Sequence, residues 1–285
     1  MAEHVTELVA LSNSRLRSLI IPREHGAWGM LLVPLATGAS VGLLAGGRIL
    51  PLLWLIGAAI AVFWMRTPVE SWLGTSPLRA QSDEERSAVV RVILTLALVA
   101  AVALAGLFWG GQNIHLLPMG AASALAFVVQ AGLKKLGRRT RMPAQIVGAM
   151  GLTLTAPAAY SVVTGQVDRT ALLLWLTNWL FAVNQIHFVQ LCIHAARVTG
   201  PVQKLTRGHA FLFGQAGVIL VLLATWRTGG LPGLVLVAFV PAFLRGIVWF
   251  LKQPGPLVVR RLGWTELAHG VAFGILLILG FYVHG

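Results

Sequence analysis

Residues 184–197, NQIHFVQLCIHAAR, place Asn184, Gln185, His187, Gln190, His194 and Arg197 within an otherwise apolar stretch. At about 100° per residue, His187, Gln190, His194 and Arg197 fall on one helical face, with Asn184 at its edge. Amides and imidazoles in that pattern can hold a polar head group, ligate a transition metal or act as a general base. Polar side chains in a hydrocarbon layer are costly and turn toward protein or a water-filled cavity. The stretch therefore predicts one wall of a polar site.

Four other stretches are candidates for the remaining walls. Pro22-Arg23-Glu24-His25-Gly26-Ala27 combines a dense polar cluster with small residues that let a neighbour come close. A proline and a carboxylate at a helix start are also ordinary capping choices, so a structural and a functional reading stay open there. Arg66 and Glu70 are four apart and can pair on one face, with Pro68 expected to kink or end the helix. Lys134-Lys135-Leu136-Gly137-Arg138-Arg139-Thr140-Arg141 is either topological charge facing anionic lipid or a clamp for a phosphate or diphosphate. Gln145 lies one turn beyond it. Glu266 and His269, three apart, put two metal-ligating groups on one face, as do the similarly spaced Asn184 and His187. The candidate metal ligands are Glu24, His25, His187, His194, Glu266 and His269. Candidate substrate-binding residues are Arg23, Arg66, Lys134, Lys135, Arg138, Gln145, Asn184 and Gln190, with Glu70 and His187 as candidate catalytic bases.

No Gly-rich phosphate loop, Walker motif or His-Glu-x-x-His occurs in the chain. The single cysteine, Cys192, rules out an internal disulfide and sits off the polar face.

The elements that must position these residues are membrane spans. Of 285 residues, 57% are apolar and only 11% charged, where soluble domains carry about 25% charged. Mean hydropathy is +0.80. Stretches of about 20 apolar residues suffice to cross a bilayer. Nine are found, at roughly 25–46, 49–70, 88–110, 115–133, 143–164, 170–195, 209–227, 231–251 and 264–284. An all-α, polytopic membrane bundle of about nine helices is expected over 25–285, preceded by an arm, 1–24, with an interfacial amphipathic helix.

Nineteen of the 22 Lys and Arg fall on one side of that arrangement, leaving Arg48, Arg169 and Arg227 opposite. The positive-inside rule then places the N-terminus in the cytoplasm and the C-terminus outside a cell (inner) membrane. Topology thus accounts for the net charge of +13 without nucleic acid. The longer, richer loops are cytoplasmic, so a cytoplasm-facing site is expected.

The opening PREHGAWGMLLVPL is similar to the start of the YwiC-like family of bacterial membrane proteins. In layout the chain also resembles the UbiA superfamily of intramembrane prenyltransferases, most evidently from LKKLGRRTRMPAQIVGAM through WLFAVNQIH, and again around TSPLR and SDEERSA. That resemblance implies nine helices and a cavity opening to the cytoplasm. It also implies two aspartate-rich, magnesium-binding motifs at the inner ends of helices 2 and 6. Here those positions read RTPVESW and NQIHFVQLCIH. Magnesium favours carboxylate oxygens, whereas one glutamate with imidazoles suits a transition metal.

Two functional expectations follow. One is a divergent, UbiA-like transferase acting on a prenyl or other lipophilic substrate, with basic side chains replacing magnesium. The other is a non-enzymatic or redox role that binds quinone, haem or a transition metal through His and Glu.

Overall fold

A computed structural model describes residues 15–22, 25–74, 76, 78–109, 113–195, 198, 200–252 and 257–283. The described residues form helices and connecting turns, with no strand among them. The helices are α1 (His25–Leu44), α2 (Leu50–Trp72), α3 (Asp83–Phe108), α4 (Leu116–Lys135), α5 (Arg141–Thr153), α6 (Thr155–Thr164), α7 (Arg169–His194), α8 (Pro201–Arg227), α9 (Gly233–Val237), α10 (Val240–Leu251) and α11 (Val259–Tyr282). Nine candidate membrane spans arise among the described residues, with α5–α6 and α9–α10 each serving as one.

Several boundaries differ from the sequence expectation for local reasons. Helix α3 begins at Asp83, five residues before the expected span 88–110. Ser82 caps it by accepting from the Glu85 N–H at 3.1 Å, and three acidic residues occupy the first turn. The Ser82-x-x-Glu85 spacing is a capping signal that was legible in the sequence. Pro68 neither ends nor terminates α2, which runs on to Trp72. The fifth span is broken at Leu154, where Pro157 cannot donate to the Thr153 carbonyl. Thr155 bridges the break to α1, donating to the Leu31 carbonyl at 3.2 Å. Helices α8 and α11 start eight and five residues earlier than expected, at Pro201 and Val259. Glu266 therefore stands two turns inside its helix.

The chain divides into two compact units, Met1–His25 with Leu50–Gln112, and Gly26–Ile49 with Asn113–Gly285. In the first unit, α2 and α3 pack through small residues, Gly57 against Ala103 and Gly106 under the Trp54 ring. The described part of the N-terminal arm, helical from residue 15 to 20, is bonded to this pair. The Trp64 indole donates to the Ile20 carbonyl at 3.0 Å, Ser71 donates to the Leu19 carbonyl at 3.2 Å, and Leu19 is fully buried. The rest of the expected amphipathic helix lies outside the described residues.

The second unit is built around α7. One ridge of α7, Trp175, Trp179, Ala182, Ile186 and Gln190, faces α5. The two indoles stack at 5.9 Å and donate to the Met150 and Ile146 carbonyls. A second ridge meets α1 and α11. Asn178 donates to Thr37 at 3.1 Å, Phe181 stacks on Phe273 at 3.9 Å, and Gln185 donates to the Glu266 carbonyl at 2.8 Å. Helix α1 crosses α6 through Gly38 and Gly42, which lie on Ala156, Tyr160 and Val163. Small residues at such crossings let backbones approach and pack closely in van der Waals contact.

These contacts give the second unit two distinguishable ends. At one, α4, α7 and α10 finish and α5, α8 and α11 begin, close to most of the unit's basic residues. At the other, Arg48, Arg169 and Arg227 stand near the 165–168 and 228–232 turns. Asp168 caps α7 there, accepting from the Ala171 N–H at 3.0 Å and from the Tyr160 hydroxyl at 2.9 Å.

Candidate functional site

The expected polar face of α7 points in several directions. Asn184 is 1% exposed and turns toward α8 and α10. Its amide donates to Gln215 Oε1 at 2.8 Å, and its oxygen accepts from Arg245 Nη2 at 3.1 Å. Arg245 in turn pairs through Nη1 with Glu266 Oε2 of α11. The two charged side chains are 8% and 9% exposed. The guanidinium also lies 4.0 Å from the centre of the buried Phe188 ring, a cation–π contact that favours a desolvated cation. Four helices thus meet in a line Gln215–Asn184–Arg245–Glu266 in the basic half of the unit.

This network is only partly satisfied. Gln215 Nε2, Arg245 Nε and Glu266 Oε1 are buried and have no hydrogen-bond partner among the described residues. Two donors and one acceptor are therefore unused in a region where each unmet group costs free energy on the order of 1–3 kcal/mol. The ion pair itself is electrically neutral. Pairing is what makes two charges tolerable at this depth.

Other members of the candidate set are arranged differently. His187 is half-buried against α8, where a Cβ added at Gly214 would come within 2.6 Å of its Nδ1. Gln190 donates to Gln145 Oε1 at 3.0 Å, which brings two expected substrate-binding residues together and sets the α7 end beside the basic stretch that leads into α5. Lys134 and Lys135 end α4 with exposed side chains. His194 is exposed, with Nδ1 2.8 Å from the Gln190 carbonyl, and His269 has Nδ1 2.7 Å from the Thr265 carbonyl. Glu266 turns to Arg245 and not to a shared site with His269. Among the described residues no group of three or more His, Cys, Asp or Glu could hold a metal ion. Arg66 and Glu70 pair at 3.1 Å within the first unit. Arg23, Glu24 and Arg197, and the side chains of His25 and Arg138, lie outside the described residues.

Three residues of this region were not singled out from the sequence. Arg245 stands inside the apolar run VPAFLRGIVWFL. Gln215 interrupts an apolar run on α8 in the same way. A polar residue deep in a span was the available signal for both. Lys204 is the third. It is 4% exposed and donates to the carbonyls of Trp249 at 3.0 Å, Phe250 at 3.3 Å and Lys252, so it caps the C-terminal end of α10.

Residues 21–160 match the family model described as YwiC-like protein. The matched segment contains the opening PREHGAWGMLLVPL and ends before the buried network. No curated protein matches the chain.

Proposed function

We propose, starting from a multi-pass helical membrane chain with a YwiC-like segment, that the second unit binds the polar head of a neutral lipophilic molecule at Asn184, Gln215, Arg245 and Glu266. The observation that carries this reading is the unused hydrogen-bonding capacity of three buried atoms, two donors and a carboxylate oxygen, beside a charge-neutral ion pair. A carbonyl oxygen would accept from Gln215 Nε2 or Arg245 Nε. A hydroxyl would donate to Glu266 Oε1. An added net charge would upset a pair whose charges already cancel, so a quinone, quinol or hydroxylated lipid suits the site better than a diphosphate. On this reading the basic end is cytoplasmic, by the positive-inside rule, and the head group lies in the inner half of the membrane.

The test is mass spectrometry of lipophilic molecules that co-purify with the protein, compared with the bulk membrane extract. Wild type is expected to be enriched in one carbonyl- or hydroxyl-bearing lipid, and Gln215→Met to hold about tenfold less, as loss of one buried hydrogen bond implies. Identical profiles for the two proteins would exclude the proposal.

A second reading rests on the Gln190–Gln145 bond, which sets the polar end of α7 next to the Lys134–Arg141 stretch. In that reading a prenyl diphosphate is held by Lys134, Lys135, Arg138 and Gln145 for a UbiA-like transfer, with His187 as base. Labelled prenyl diphosphate would then be retained by wild type and by Gln215→Met but lost in Lys135→Ala. Equal retention by Lys135→Ala and wild type removes this reading.

A further inference from the structure

At the end of the second unit poor in basic residues, a cavity of about 430 Å³ opens between the close of α1, the outer turns of α6 and α7, the 229–232 turn and the last turn of α11. Its size falls within the roughly 300–1,000 Å³ typical of small-ligand sites. Val41, Leu44, Leu173, Leu231 and Phe281 supply apolar lining. Arg169 lines it as well, together with Thr170, Gly229 and Gly230.

The charge lining this cavity has one sign. Asp168, the preceding residue, keeps its negative charge but does not line the cavity; its carboxylate is held at the helix start by the Ala171 N–H and the Tyr160 hydroxyl. Tyr160 lines the cavity, and its hydroxyl is held by Asp168. Arg169 is placed by a close backbone approach. A Cβ on Gly230 would meet the Thr225 carbonyl oxygen at 2.7 Å and Arg169 Nη2 at 3.2 Å, so glycine there lets the guanidinium lie along the turn. Gly229 makes that turn with φ +69°, a left-handed conformation that side chains disfavour. Arg169 also opens a 26-residue helix, whose dipole adds positive potential at its first turn.

We infer that this cavity binds an amphiphile with an anionic head and a hydrocarbon chain. The phosphate or carboxylate sits at Arg169 and Thr170, and the chain runs along Leu44, Leu173, Leu231 and Phe281. The guanidinium offers a paired fork of N–H donors to either oxyanion. The apolar lining accounts for the chain, and its position at the helix ends matches the level at which lipid head groups meet hydrocarbon. The site uses no residue of the buried network and stands or falls apart from it.

The experiment is native mass spectrometry of the full chain in phosphatidylcholine nanodiscs doped with phosphatidylglycerol in one arm and oleate in the other. Wild type is expected to retain one equivalent of an anionic amphiphile over phosphatidylcholine. Retention of phosphatidylglycerol alone identifies a lipid head group, and retention of oleate alone identifies a free acid. Arg169→Gln should weaken retention by about tenfold or more, the usual effect of losing a charge-assisted hydrogen bond. Leu173→Trp, which fills the cavity and leaves Arg169 in place, should do the same. Gln215→Met should bind as wild type does. No preference for either anion in wild type, or equal retention in Arg169→Gln and Leu173→Trp, overturns the inference.

Discussion

Glu266→Leu is expected to be among the most damaging single changes in the second unit. It leaves the Arg245 guanidinium, 8% exposed, without its counter-charge inside a helical bundle. Breaking a buried pair from one side costs about 3–5 kcal/mol, because the remaining charge keeps its desolvation penalty and loses its compensation. Asn184 and the Phe188 ring still touch the cation, but neither carries a negative charge. Glu266→Gln should fall in between, since an amide oxygen can still accept from Nη1. The double variant Arg245→Leu/Glu266→Leu should recover most of the loss, as both charges are then gone and leucines fill the space. Unfolding of the purified protein in mixed micelles, titrated with denaturing detergent, gives the three free energies. A double variant no more stable than Glu266→Leu would show that the pair does something other than compensate charge.

The second large effect belongs to Gly38. A Cβ there would press on the Ala156 carbonyl oxygen, and would lie 2.7 Å from its carbonyl carbon and 2.9 Å from its Cα. All three atoms are backbone, so no rotamer change relieves the contact and α1 must move off α6. Gly38→Ala should cost about 3 kcal/mol, at the upper end of overpacking effects. Gly42→Ala is the internal control. Its Cβ would meet Val163 Cγ1 at 3.0 Å, Val163 Cβ at 3.1 Å and the Tyr160 carbonyl oxygen at 3.3 Å, contacts that a shift of a few tenths of an ångström relieves, so a loss of about 1 kcal/mol is expected. The same unfolding titration ranks the two. Equal losses would mean that the crossing is looser than these distances imply.

The helices and the alternation of charge were readable from composition and order. A bilayer-length apolar run must form its own hydrogen bonds, and helix is the local way to do so. That argument needs no partner, which is why nine candidate spans emerge among the described residues with ends displaced by only a few residues in most cases. The displaced starts of α3, α8 and α11 have the same origin. Hydropathy ends where charge begins, whereas Ser82, Pro201 and Val259 begin helices that continue through charged turns.

Partner choice was not readable in this way. The pairs that make the network are separated by 31, 61 and 21 residues, and each lies between different helices. Periodicity assigned Asn184 to the edge of one polar face. The packing around α7 sent it toward Gln215 and Arg245, Gln190 toward Gln145, and left His194 exposed. It also turned Glu266 away from His269, three residues along the same helix, and gave Lys204 a neighbouring helix end to cap. The 3.6-residue repeat dictates which side chains share a face. Which face meets which helix depends on close approaches such as Gly38 on Ala156 and Gly214 on His187, where the absence of a side chain admits a neighbour from far along the chain.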